Sequence, residues 1–131
     1  MTNKILFVDD ELNVLEGIRR QLRRRFEIET AVSAQQGLAL IDSHRPYAVV
    51  ISDFNMPVMN GEEMLNKMRE QDELHDIPVV VVSTEGSKTR IERLAELGAR
   101  FVHKPWTAEK LCGTVIEATG VTLKTYEQET A

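Results

Sequence analysis

Apolar runs and helix-spaced segments alternate from one end of the chain to the other. Lys4-Ile5-Leu6-Phe7-Val8 is an almost unbroken apolar run that stops at Asp9-Asp10-Glu11, the pattern of a buried strand ending in a polar loop. Leu12, Leu15, Ile18, Leu22 and Phe26 then recur at helical spacing and predict a first helix with one apolar face. Residues 27–31 alternate as a short strand, and Ser33 is placed to cap a second helix carrying Ala34, Leu38 and Ile41. Pro46 closes that helix. Tyr47 to Ser52 reads as a fully buried strand ending at Asp53.

The second half repeats the rhythm. Pro57 and Asn60-Gly61 mark a turn before a third helix with Met64, Leu65 and Met68. Pro78 opens the strand Val79-Val80-Val81-Val82-Ser83, and polar residues 84–87 follow it. A fourth helix carries Ile91, Leu94 and Ala95 and ends at Gly98, a C-terminal cap. Phe101-Val102 is a fifth short strand, Lys104-Pro105 a turn, and Thr107 the cap of a last helix with Leu111, Val115 and Ile116. Five β-α units in strict alternation, with strands apolar on both faces, imply an α/β fold. Its core is a doubly wound, five-stranded parallel sheet covered by helices on both sides.

Composition narrows the class. A chain of 131 residues with 42% hydrophobic residues suits one domain, and residues 121–131 are expected to be a tail or the start of a linker after a domain spanning 1–120. The longest apolar runs fall far short of the ~20 residues of a membrane span, so no membrane partner is expected. Met1-Thr2-Asn3-Lys4 lacks a signal-peptide layout, and the lone Cys112 fits a reducing, cytoplasmic setting. A net charge of −5 argues against direct nucleic-acid binding. The run Arg19, Arg20, Arg23, Arg24, Arg25 is taken as a solvated helix face, His44, His75 and His103 as surface residues, and Met56, Met59, Met64 and Met68 as packing residues.

Ligand chemistry in doubly wound sheets collects at the carboxyl ends of the strands. With strand order 2-1-3-4-5, Asp9, Asp10, Asp53, Ser83 or Thr84, and Lys104 would converge on one cleft. Three close carboxylates repel one another unless a cation is present, and hard oxygen ligands suit Mg²⁺. A carboxylate left to attack beside a metal points to phosphoryl transfer, with Asp53 as nucleophile and Lys104 and a hydroxyl neutralising the transferred group.

In order, these motifs are Val8-Asp9-Asp10-Glu11, Asp53-Phe54-Asn55-Met56-Pro57 with Asn60-Gly61, Val82-Ser83, and Lys104-Pro105. Together they resemble the receiver domain of a two-component response regulator, of the single-domain chemotaxis kind, with the flavodoxin-like fold. The match runs from about Lys4 to Thr119. The resemblance implies that Asp53 is the phosphoacceptor in a phosphorelay and that a histidine kinase or phosphotransfer protein is its donor. It implies that Asp10, Asp53 and the backbone carbonyl of Asn55 ligate Mg²⁺, with Mn²⁺ as a substitute, and that Asp9 acts through a metal-bound water. Lys104 would pair with Asp53 at rest and with the phosphoryl group when loaded, and the Lys104–Pro105 bond would be cis.

Ser83 aligns with the family's switch hydroxyl; a one-residue slip would pass that role to Thr84. Phe101 stands where a switch aromatic rotates inward, re-forming the surface of helix 4, strand 5 and helix 5, and Trp106 would add to that surface. Asn55 and Glu85 hold positions that tune phosphoryl lifetime, which is expected to be short for the family. The implied protein is a signalling receiver, an enzyme only in its own phosphorylation and dephosphorylation. Its other partners would be a downstream effector or a missing output domain, and a phosphorylation-dependent homodimer is a further implied state. The segment from Ile5 through Phe26 is similar to receivers that precede HD-type cyclic-dinucleotide phosphodiesterase domains.

Three rival functions fit these residues less well. A flavodoxin-like electron carrier would need a hydroxyl- or glycine-rich first loop, where this chain has Asp9-Asp10-Glu11. An aspartate phosphatase acting on outside substrates would need a cap for which 131 residues leave little material. A phosphorylation-independent adaptor would not need Asp10, Asp53 and Lys104 together.

Overall fold

A computed structural model describes residues 3–119; the expected tail, 121–131, lies outside the described residues. The elements are β1 (Lys4–Val8), α1 (Leu12–Leu22), β2 (Glu27–Ala31), α2 (Ala34–His44), β3 (Val49–Asp53), α3 (Gly61–Arg69), β4 (Val79–Ser83), α4 (Lys88–Glu96), β5 (Ala99–His103) and α5 (Ala108–Thr119). The strands form one sheet in the order β2-β1-β3-β4-β5, and every neighbouring pair is parallel. Among the described residues no helix is long and apolar enough to cross a membrane.

Because successive strand residues point to opposite faces, each central strand feeds two cores. Leu6, Val8, Val50, Val79 and Val81 meet Ile41, Met64, Leu65, Met68 and Leu94 from α2, α3 and α4. Ile5, Phe7, Ile51, Val80 and Val82 meet Leu15, Ile18 and Leu22 of α1 and Leu111, Cys112 and Val115 of α5. The all-valine body of β4 is explained by this arrangement: all five of its residues are buried.

The caps predicted at Ser33 and Thr107 are present, and the turn at Asn60-Gly61 supplies a further one. Ser33 accepts from Gln36 N–H, Thr107 from Lys110 N–H at 3.1 Å, and Asn60 exchanges hydrogen bonds with Glu63 in a capping box. Gly98 ends α4 with φ +79°. The Lys104–Pro105 bond is cis, as the resemblance implies, and so is Arg45–Pro46.

Some boundaries differ from the hydrophobic pattern. Helix α1 stops at Leu22, and Phe26 reaches the core from the following turn, its N–H still bonded to the Leu22 carbonyl at 3.0 Å. Strand β5 runs from Ala99 through His103 rather than covering only Phe101-Val102. It is an edge strand, so Arg100 and His103 face solvent without cost to the pairing. In α5 the inward position belongs to Cys112, while Ile116 is 38% exposed. The arginine run is only in part a solvated face: Arg19 donates to the Ile28 carbonyl and the Thr30 hydroxyl, and Arg25 reaches Cys112 Sγ.

One backbone position carries strain. Val58, in the loop between β3 and α3, has φ +72°, a left-handed conformation that crowds a β-branched side chain, and that side chain is 88% exposed. Val58→Asn should therefore stabilise the protein by about 1 kcal/mol, since asparagine tolerates this conformation and little packing is lost. Urea unfolding checks it; a lower midpoint for the variant contradicts the assignment of strain.

Candidate functional site

Parallel pairing brings the carboxyl ends of four strands together. Asp9 follows β1 directly, Asp53 ends β3, Ser83 ends β4 and Lys104 follows β5. Register holds them level: Asp53 pairs with Val82, Ser83 with His103, and Lys104 N–H donates to the Ser83 carbonyl at 3.0 Å. Each side chain thus owes its place to a strand buried for other reasons.

Asp9, Asp10 and Asp53 each offer a carboxylate oxygen within 4.8 Å of the others. Asp9 and Asp53 are buried, whereas Asp10 is exposed at the rim. Lys104 Nζ bonds Asp53 Oδ1 at 2.8 Å and stands 4.0 Å from Asp9 Oδ2. Asp9 Oδ1 accepts the Glu11 N–H at 2.9 Å, but Oδ2 is buried without a hydrogen-bond partner. One ammonium therefore serves two buried carboxylates and a third beside them.

The electrostatics follow from this imbalance. Burial pushes the Asp9 carboxyl above its usual range; the Glu11 N–H and Lys104 oppose the shift, while the charges of Asp53 and Asp10 add to it. Burial works against the Lys104 ammonium, but the hydrogen bond and charge of Asp53, with Asp9 and Glu11, hold its pKa above the ordinary lysine value.

The backbone beneath Asp53 is closely held. Ser52 Oγ donates to the Asp53 carbonyl at 2.9 Å, and Phe54 N–H donates to the Val82 carbonyl at 2.9 Å. A Cβ on Gly61 would lie 2.7 Å from the Asp53 carbonyl oxygen, so this helix start can approach only as glycine.

Ser83 is buried, its hydroxyl accepting the Glu85 N–H at 3.1 Å, while Thr84 is exposed. Asn55 and Glu85 are exposed on the loops after β3 and β4. Phe101 is half-buried, two residues along β5 from His103, and their rings meet edge-on at 4.8 Å. Both rings occupy the space a side chain on Gly86 would need, with contacts of 2.6 Å to a Cβ there. Trp106 packs toward Phe7 at 6.4 Å between ring centroids. Sequence reasoning did not single out Ser52, Gly86 or Arg90; Gly86 and Arg90 owe their roles to rings distant in the chain, and no local pattern marks any of the three.

The strained charge of Asp9 has a measurable sign. An acid whose pKa is raised by folding costs nothing below its unfolded value near 3.8 and costs progressively more as pH climbs toward its folded value. Without a divalent cation, Asp9→Asn should stabilise the protein at pH 7 by about 1–2 kcal/mol, the usual scale for one buried unsatisfied polar atom. Chemical denaturation in chelator checks this; wild-type stability equal to that of the variant, or greater, contradicts it.

Comparison with known proteins agrees with this geometry. Residues 5–116 match the family model described as response regulator receiver domain. The chain is similar to the two-component response regulator ORR3 of Oryza sativa subsp. indica, 37% identical over 117 residues, covering 86% of this chain and 89% of that one. It is similar to chemotaxis protein CheY1 of Helicobacter pylori, 30% identical over 112 residues, covering 82% and 90%. The crystal structure of Vibrio cholerae chemotaxis protein CheY4 superposes with a TM-score of 0.83 at 31% identity, covering 90% of this chain and 99% of that one. With its motifs at four adjacent strand ends, its sheet order and its family match all in agreement, this chain belongs to the response regulator receiver domains, signalling modules of two-component systems.

Proposed function

We propose that Asp53 is the phosphoacceptor and that it receives a phosphoryl group from the phosphohistidine of a histidine kinase or phosphotransfer protein. The observation that carries this reading is the Lys104–Asp53 contact of 2.8 Å inside a cluster of carboxylates that outnumber their cations. A carboxylate is already ionised at neutral pH, so no general base is required. In the transfer, an Asp53 oxygen bonds to phosphorus, the phosphorus–nitrogen bond of the donor breaks, and the freed imidazole takes a proton from solvent. Lys104 then turns its positive charge to the transferred group, and the Ser83 hydroxyl would donate a hydrogen bond to it.

The donor set fits a hard divalent cation. The unpartnered Asp9 Oδ2 and the close spacing of three carboxylate oxygens are costs that a cation would relieve. Asp10, Asp53 and the Asn55 carbonyl would hold Mg²⁺, with Asp9 acting through a bound water and Mn²⁺ able to replace it. When bound, the ion supplies positive charge against the phosphoryl oxygens.

The output side of this reading uses Phe101. Movement of Ser83 toward a loaded Asp53 would free space behind it, into which the half-buried ring can turn, altering the α4–β5–α5 surface met by an effector, an output domain or a second copy. Phenylalanine has no hydroxyl to hold the inward state, so packing alone would set that balance.

Incubation with acetyl phosphate and Mg²⁺, followed by intact-mass measurement, tests the assignment. Wild type should gain one phosphoryl group and Asp53→Ala none; chelator should abolish labelling. Lys104→Met should retain the fold while losing signalling output, read as partner binding after treatment with beryllofluoride. Labelling of Asp53→Ala at the wild-type level would place the acceptor elsewhere.

A further inference from the structure

Arg90, on the first turn of α4, reaches both loops that carry the site. Its guanidinium carbon stands 3.9 Å from the centroid of the Phe54 ring, and Phe54 follows Asp53 directly. Its Nη1 donates to the Glu85 carbonyl oxygen at 2.9 Å and lies 3.7 Å from Glu85 Oε2. Glu85 in turn donates its N–H to the buried Ser83 hydroxyl. One cation thereby ties the loop after β3 to the loop after β4.

The contacts are of a kind that arginine makes and lysine does not: a planar face stacked on an aromatic ring while its edge donates. The Arg90 side chain is 21% exposed, whereas that of Glu85 is 75% exposed, so it is the carboxylate that would swing free if the pair were broken. Helix α4 does not depend on this side chain for its place. Leu94 buries it against the sheet, Ser87 caps it, and Arg93 holds it to Glu62 of α3 through hydrogen bonds of 2.8 and 2.6 Å.

We propose that Arg90 is a positioning residue that sets how fast Asp53 is loaded and how long the phosphoryl group stays, by keeping the Glu85 carboxylate paired and turned toward α4. The proposal rests on the phosphoacceptor reading of Asp53. A released Glu85 would add an uncompensated negative charge beside the entrance and slow the approach of an anionic phosphodonor. It would also offer an oxygen to an incoming water. In that hydrolysis the water oxygen bonds to phosphorus and the bond from phosphorus to the Asp53 oxygen breaks. Orthophosphate leaves, the Asp53 carboxylate is restored, and the water proton passes through Glu85 to solvent.

The test compares the full chain with Arg90→Ala, Arg90→Lys, Glu85→Gln and the Arg90→Ala/Glu85→Gln pair, using acetyl phosphate and Mg²⁺. Loading and decay are followed by intact mass. Arg90→Ala should load roughly two- to fivefold more slowly and decay faster by a similar factor, the scale of one partly exposed ion pair. Both differences should vanish in the Glu85→Gln background, and the loading difference should shrink at high salt. Arg90→Lys should fall between wild type and Arg90→Ala. Without any phosphodonor, the Glu85 amide should exchange faster in Arg90→Ala. Unchanged rates in Arg90→Ala, or an equal effect without the Glu85 charge, overturn the proposal. A wild type that takes no phosphoryl group overturns the Asp53 reading and this proposal with it; a labelled wild type indistinguishable from Arg90→Ala overturns this proposal alone.

Discussion

Two buried carboxylates share one ammonium at the carboxyl edge of the sheet, with a third carboxylate beside them, and that imbalance governs the site. Lys104 satisfies Asp53 at 2.8 Å and is only a distant neighbour of Asp9 at 4.0 Å, which leaves a buried Asp9 oxygen without a partner. Water would ordinarily screen such a cluster; burial of Asp9 and Asp53 removes most of that screening. The folded protein thus holds negative charge where it is least comfortable.

The rest of the fold supplies the hydrophobic stability that tolerates this local cost. Two cores on either side of the sheet lock β1, β3 and β4 in register, and the site residues lie at their ends. Close backbone contacts, such as Gly61 over the Asp53 carbonyl, leave little freedom beneath Asp53. Above it, side chains add to the backbone bonds of the loops after β3 and β4: the capping box at Asn60, the Ser83 hydroxyl and the Arg90 bridge.

Much of this was legible in the residues alone. The run from Ile5 to Val8 and the valines of β4 announce strands buried on both faces, and the caps at Ser33 and Thr107 are chemical signals local to the chain. The hydrophobic pattern understates the edge strand β5, because Arg100 and His103 look unlike a buried strand and only pairing with β4 extends it. It also overruns the end of α1, because Phe26 keeps the helical spacing while the backbone has already left the helix. Ser83 and Thr84 are adjacent hydroxyls competing for one expected role; the Val82-Ser83 register favours Ser83, and Ser83 is the buried one of the two, at the last β4 position.

By itself the sequence determined the α/β alternation, the strand ends and the chemistry gathered there, because apolar periodicity and cap chemistry act over a few residues. Tertiary structure alone decided how that chemistry is partnered. Lys104 meets Asp53 across an intervening strand, Asp9 keeps an oxygen without a partner, and Arg90 stacks on Phe54 from another helix. Those outcomes depend on angles and distances between segments far apart in the chain, which no local pattern of residues encodes.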